Sequence, residues 1–210
     1  MTGVPPLPAG EAVPSVEEMA DHLASALPEG DREEARALLA ERILPPALEG
    51  LAEHPKPRRL AEVVYEDVAE RLAAAPPQER LDALHEAADV AEILELSSRA
   101  LSLAVARYLS DDPNALPRAG TWLDGEADRW RQRDAGEIAA EATRLLDRLE
   151  SWQERIADER PELSETRRID YLNAKLALQS ARSGSFATAA GPLNDFLKSV
   201  GTPAERLDIH

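Results

Sequence analysis

Apolar residues recur every three to four positions from about residue 15 onward, which is the spacing of amphipathic helices. Capping boxes mark helix starts, because a Ser or Asp side chain and a Glu three positions later bind each other's backbone amides. The boxes are Ser15 with Glu18, Asp31 with Glu34, and Asp134 with Glu137. Proline pairs at 45–46 and 76–77 are predicted to end helices, since proline lacks the amide hydrogen. The pattern predicts an all-α fold of antiparallel helical hairpins without a sheet.

The longest apolar run follows the second proline pair. Up to about Ala91 the predicted helix carries one narrow apolar stripe, whereas beyond Ile93 it is apolar nearly all round as far as Leu109. We expect this to be the central helix, and the turn-rich segment after it separates two helical subdomains. The predicted organisation is a flexible proline-rich leader (1–14), an N-terminal subdomain (15–110), a loop (111–120), a C-terminal subdomain (121–200) and a loose tail (201–210).

A heptad seam runs along the helix that begins at Asp134. Its apolar positions alternate spacings of four and three, as in coiled coils. They are Ile138, Ala142, Leu145, Leu149, Trp152 and Ile156. We expect Trp152, Ile138, Leu145, Leu149 and Ile156 to form an interface with another protein or a second copy, or to be satisfied within the chain. Two further helices are predicted, one with Ile169, Leu172 and Leu176 and a last one through Leu193, Phe196 and Leu197.

Composition and charge exclude several classes of function. The formal net charge of -16 would repel phosphate backbones, so we expect no nucleic-acid partner. The absence of cysteine excludes disulfides, thiolate metal sites and a cysteine nucleophile. Since neither a signal peptide nor a membrane-length apolar run is apparent, we expect a cytoplasmic protein without a membrane partner.

Two acidic motifs lie on either side of the turn at 76–77. Glu66, Asp67 and Glu70 read E-D-x-x-E, and Glu86 and Asp89 read E-x-x-D after fifteen intervening residues. In an antiparallel hairpin, Glu66 and Glu86 both lie about 14 Å from the turn at ~1.5 Å per residue. Oxygen ligands at one level suit a hard cation such as Mg²⁺. The alternative is that these acids pair with arginines on the helix surface, as Asp67 can with Arg71 four residues on.

The paired motif resembles that of the all-α nucleoside triphosphate pyrophosphatases, the MazG-like superfamily. In that family E-E-x-x-E is followed by E-x-x-D after a comparable gap, and the resemblance here covers residues 64–109. It implies that Glu66, Asp67, Glu70, Glu86 and Asp89 would hold Mg²⁺, which would activate water against a phosphoanhydride. His85, one turn from Asp89 and near Glu92, is a further candidate ligand, although a single histidine at a helix edge is more often structural.

Two functions therefore follow from the sequence. The favoured one is a non-enzymatic helical interaction or scaffold protein, because the heptad seam is the strongest feature without another explanation. The alternative is a Mg²⁺-dependent nucleotide pyrophosphatase, for which a nucleotide would be the substrate. The two are distinguished by whether the five carboxylates converge.

Overall fold

The computed structural model describes residues 4–7, 12–111 and 125–184. Regular structure in these ranges is helical, with no strand among them, which confirms the predicted all-α class. Most of the predicted loop at 111–120, the predicted last helix through Phe196 and the tail at 201–210 lie outside the described residues. No helix in the described ranges combines the length and apolar character that crossing a membrane requires.

Contacts between Cα atoms divide the chain into two units, 1–92 and 93–210. The division falls inside one continuous helix, Arg80–Asp111, and differs from the predicted boundary at 111–120. Up to Ala88 this helix contributes buried residues to the core of the first unit. From Ile93 onward it belongs to the second unit. The change from a narrow stripe to an all-round apolar surface occurs at the same position in the sequence.

The first unit contains three short helices followed by a hairpin. They are α1 (Val16–Ala24), α2 (Arg32–Leu38), α3 (Leu44–Ala47), α4 (Pro57–Ala74) and the start of α5 (Arg80–Asp111). The predicted box at Ser15 is confirmed, because the Glu18 amide donates to Ser15 Oγ at 3.1 Å and the Ser15 amide to Glu18 Oε2 at 2.9 Å. The box predicted at Asp31 is wrong. Asp31 ends a 3-10 turn, Glu29–Asp31, and has helical backbone angles instead of the extended angles of an N-cap.

The first proline pair widens the helix instead of ending it. A π-helical segment, Leu39–Ile43, connects α2 to α3, and the Leu44 amide donates to the Leu39 carbonyl five residues earlier. In an ordinary α-helix the Pro45 ring would clash with the Glu41 carbonyl and leave it without a donor. The wider turn relieves this clash, so the predicted break becomes a π-bulge.

The described part of the leader lies on the first unit. Val4 and Leu7 are half-buried and pack against the core of that unit. The Tyr65 hydroxyl donates to the Pro5 carbonyl, and Arg58 donates to the carbonyl of Ala12. Residues 4–7 and 12 of the predicted leader therefore contact the folded chain.

The second unit is built on a long helical hairpin. Its helices after α5 are α6 (Gly125–Arg131), α7 (Ala135–Glu159), α8 (Pro161–Thr166) and α9 (Arg168–Ser183). The predicted capping box at Asp134 is confirmed, with the Glu137 amide 2.9 Å from Asp134 Oδ1. Only the short α8 separates α7 from α9, so their extensive contact requires them to run antiparallel, with Lys175 of α9 paired with Glu150 of α7. The hairpin ends at Gly184, whose φ of 67° is left-handed and suits glycine.

Candidate functional site

The three acidic residues of the first motif are on the exposed side of α4. Asp67 Oδ2 accepts from Arg71 Nε at 3.1 Å, and Glu66 lies 3.9 Å from Arg59. Glu70 is exposed as well. The arginine pairing that the spacing offered to Asp67 is therefore present, as expected for acids on a solvated helix face.

The two acidic residues of the second motif differ in their exposure to solvent. Glu86 is exposed, whereas Asp89 is 3% exposed. Arg42, on the π-helical segment, donates from Nη2 to Asp89 Oδ1 at 3.4 Å and to Glu92 Oε2 at 3.3 Å. His85 Nε2 lies 3.0 Å from Glu34 Oε1. The polar partner of His85 is therefore Glu34, and a polar partner of Asp89 is Arg42.

These placements do not fit the predicted Mg²⁺ site. All five carboxylates belong to the described part of the chain, and there no three His, Asp or Glu side chains lie close enough together to hold a metal ion. An oxygen cage needs several carboxylates aimed at one point, but four of the five face solvent and the fifth faces a guanidinium. The structure does not bring the five residues together.

The heptad seam on α7 is satisfied within the chain. Its apolar residues are almost completely buried, and α7 makes its most extensive contact with α9. They include the five predicted interface residues Ile138, Leu145, Leu149, Trp152 and Ile156. The expected intermolecular interface at these positions is thus corrected to an internal hairpin core, which was the other outcome that the pattern allowed.

The apolar face predicted on α9 is exposed. Ile169 is 72% exposed and Leu172 is 50% exposed, with Leu176 half-buried beside them. The buried face is instead the opposite one, which carries Ala174, Ala177, Leu178 and Ala181. Small side chains let two helix backbones approach closely, so the alanine-rich face packs inward and the larger side chains face outward.

A row of basic side chains borders this exposed face. Arg168, Lys175 and Arg182 are seven residues apart on α9. Lys175 Nζ is 3.0 Å from Glu150 Oε1, and the hydrogen bonds to Glu150 and then to the Tyr171 hydroxyl raise the pKa of Lys175 above its usual range. Arg168 Nη1 also lies 3.8 Å from Glu165 Oε1, so two of the three basic side chains pair with carboxylates. This basic row lies next to the exposed Ile169 and Leu172.

A second ion cluster, which the sequence patterns did not predict, surrounds Arg99 in α5. Its guanidinium lies 3.3 Å from Glu95, 3.4 Å from Glu126 and 3.1 Å from Glu141. Arg144 also donates to Glu141, at 2.8 Å. That hydrogen bond is the main cause of the lowered pKa of Glu141, which burial opposes and the charges of Arg144, Arg99 and Arg148 reinforce.

We expect Glu141 to contribute to stability in a pH-dependent manner. Because its folded pKa lies below the ordinary 4.5, the contribution is present above pH 4.5 and is lost as the pH falls through the folded pKa. Urea unfolding of wild type and Glu141→Gln between neutral and acidic pH should show a shallower decline in the variant. Arg144→Met should reproduce that decline, since it removes the main donor. Identical pH profiles for Glu141→Gln and wild type would contradict this prediction.

Comparison with models of protein families, with curated proteins and with solved structures yields no significant match.

Proposed function

We propose that this chain is a non-enzymatic, helix-based interaction protein that binds a partner on the outer face of α9. The observation that carries the proposal is the exposure of Ile169 and Leu172, two large apolar side chains one turn apart on a helix whose opposite face is packed. Full burial of such a side chain stabilises a complex by about 1.5–3 kcal/mol. The pair therefore supplies a recognisable apolar anchor for a second helix.

The charge pattern favours an acidic amphipathic helix as the partner. If Ile169, Leu172 and Leu176 take the a and d positions of a heptad, Arg168, Lys175 and Arg182 all take the g position. Side chains at e and g flank the seam and select the partner by charge. A helix with an apolar stripe bordered by Asp and Glu would complement this edge. A second copy of α9 is disfavoured in antiparallel alignment, because it would place basic side chains opposite basic ones.

A photo-crosslinking experiment tests both the surface and the partner's chemistry. Benzoylphenylalanine replaces Leu172 in the full chain, and crosslinked residues are mapped by mass spectrometry after irradiation in the source cells. We expect crosslinks to an apolar position on an acidic amphipathic helix. With that partner purified, Ile169→Asp with Leu172→Asp should weaken binding at least about 10-fold through lost apolar burial. Arg168→Glu with Arg182→Glu should weaken binding and reduce its dependence on salt.

The controls use exposed positions away from this face. Benzoylphenylalanine at Glu154, an exposed residue of α7, should not crosslink the same partner residue, and Glu154→Lys should keep the affinity. Because Ile169 and Leu172 are exposed, their replacement should leave the melting temperature nearly unchanged. Crosslinks from position 172 that reach only this chain, or unchanged affinity in the Ile169 and Leu172 variant, would contradict the proposal.

The alternative of a Mg²⁺-dependent pyrophosphatase requires carboxylates of two helices to converge on one cation. Since the described residues bring no three such ligands together, the geometry lends this alternative no support.

A further inference from the structure

The N-terminal segment contacts the first unit in the manner of a bound peptide. Residues 4–7 read Val-Pro-Pro-Leu. Val4 and Leu7 pack against the core, whereas Pro6 is exposed. Between them the Pro5 carbonyl accepts a hydrogen bond from the hydroxyl of Tyr65, a residue of α4 that is only 3% exposed. Burial also raises the pKa of Tyr65, so its hydroxyl remains a donor well above neutral pH.

The prolines of this segment restrict its backbone to extended conformations before it binds. Each proline has a fixed φ, and a residue that precedes proline is held in extended conformations. Val4, Pro5 and Leu7 all precede a proline, so little conformational entropy is lost when the segment is ordered. Proline has no amide hydrogen to donate, so a partner can form a hydrogen bond with Pro5 only through its carbonyl oxygen. The Tyr65 hydroxyl donates to this oxygen. Proline-rich peptides dock on aromatic-lined surfaces by the same combination of rigidity and carbonyl recognition.

The chain itself holds this segment near its site. Arg58, also on α4, donates to the Ala12 carbonyl and so anchors the chain five residues after Leu7. A short tether gives the attached segment an effective concentration of about millimolar. A free peptide of equal intrinsic affinity must exceed that concentration to displace it. At micromolar protein concentration, a second copy's segment therefore competes poorly with the attached one.

We infer that the surface around Tyr65 is a binding site for a proline-rich segment of a partner protein, occupied in this structure by residues 4–7 of the chain. The ligand class is a proline pair with an apolar residue on each side, as in Val-Pro-Pro-Leu. A partner segment displaces residues 4–7 when its own affinity exceeds the advantage of the tether. The inference involves α4 and the N-terminus, so it is independent of the proposed function of α9.

Fluorescence anisotropy with a labelled peptide tests the inference on the full chain. The peptide has the sequence of residues 1–10, and Val4→Asp with Leu7→Asp in the protein releases the attached segment. We expect this double variant to bind the peptide at least about 10-fold more tightly than wild type, because the competition within the chain is removed. A peptide with alanine at both Pro5 and Pro6 should bind more weakly, because it is less rigid.

Tyr65→Phe in the same double variant isolates the hydrogen bond. Loss of one such bond should weaken peptide binding about 3- to 10-fold. Tyr171→Phe makes the same chemical change in the second unit and should leave binding unchanged. Should Val4→Asp with Leu7→Asp disturb folding by circular dichroism, Val4→Ser with Leu7→Ser releases the segment without adding charge.

Three results would overturn the inference. The first is equal peptide affinity in wild type and in both released variants. The second is equal affinity of the proline and alanine peptides, or no effect of Tyr65→Phe. The third is a wild-type dimer by size-exclusion chromatography that becomes monomeric in the released variants, since this would assign the site to exchange of N-termini between two copies.

Discussion

Replacing Trp152 with alanine is expected to lower the free energy of unfolding of the second unit by about 3–5 kcal/mol. Among the residues that the structure describes, Trp152 is the largest fully buried side chain, and it lies on the α7 face that forms the hairpin core with α9. Its removal takes away both the transfer free energy of the indole and the contacts around the resulting cavity. Urea denaturation followed by far-UV circular dichroism measures the change, because that signal arises mainly from the helical backbone.

Trp130→Ala provides the matched control. Trp130, on α6, is only half-buried, so the same substitution should cost less than half as much. Equal losses of unfolding free energy at the two positions would show that Trp152 contributes no more to the core than the half-buried Trp130. A loss below about 1 kcal/mol for Trp152→Ala, under the usual range for Trp→Ala, would contradict its burial in the hairpin.

Replacing Arg42 with methionine is expected to destabilise the first unit by about 1–3 kcal/mol, since the buried Asp89 carboxylate loses a hydrogen bond from a guanidinium that is itself partly exposed. Arg42 faces both Asp89, which is buried, and Glu92, so the variant also leaves two carboxylates near each other. Methionine keeps most of the aliphatic length, so the loss reports on the charge. Chemical denaturation at neutral pH provides the measurement.

Arg36→Met is the matched comparison. Arg36 lies in the preceding helix and pairs with Asp21, and both side chains are about half exposed. A pair of this kind contributes about 0–1 kcal/mol, so the variant should remain close to wild type. If Arg42→Met were equally mild, the interaction with Asp89 would be no more than a surface pair. Adding Asp89→Asn to Arg42→Met should restore part of the loss, because the buried negative charge is removed.

Local signals in the sequence predicted the helices well, and the failures have physical causes. The boxes at Ser15 and Asp134 form, because an N-cap depends only on residues within one turn. At Asp31 the preceding 3-10 turn already gives the backbone helical angles, which the four-residue pattern does not contain. On α9 the spacing of Ile169 and Leu172 correctly indicated a helix, but the face that packs is the one with small side chains.

The candidate site was harder to predict than the fold. The spacing of the apolar positions placed both Asp67 and Asp89 near the apolar edges of their helices, yet only Asp89 is buried, whereas Asp67 is exposed. This spacing could not supply the partner of Asp89, since Arg42 is 47 residues away along the chain and lies on a π-bulge. Arg99 presents the same difficulty, with Glu141 42 residues away. Such pairings depend on how helices pack, which single-helix periodicity does not encode.

The contact between Pro5 and Tyr65 also has a consequence for how the protein is synthesised and handled. Pro5 leaves the ribosome before Tyr65, which follows 60 residues later along the chain, so residues 4–7 cannot dock until α4 has been synthesised. Closing so long a loop costs entropy before any contact forms, which places this step late in folding. An affinity tag fused immediately before Val4 would extend directly from the docked segment. A tag at the C-terminus leaves that segment in its natural context.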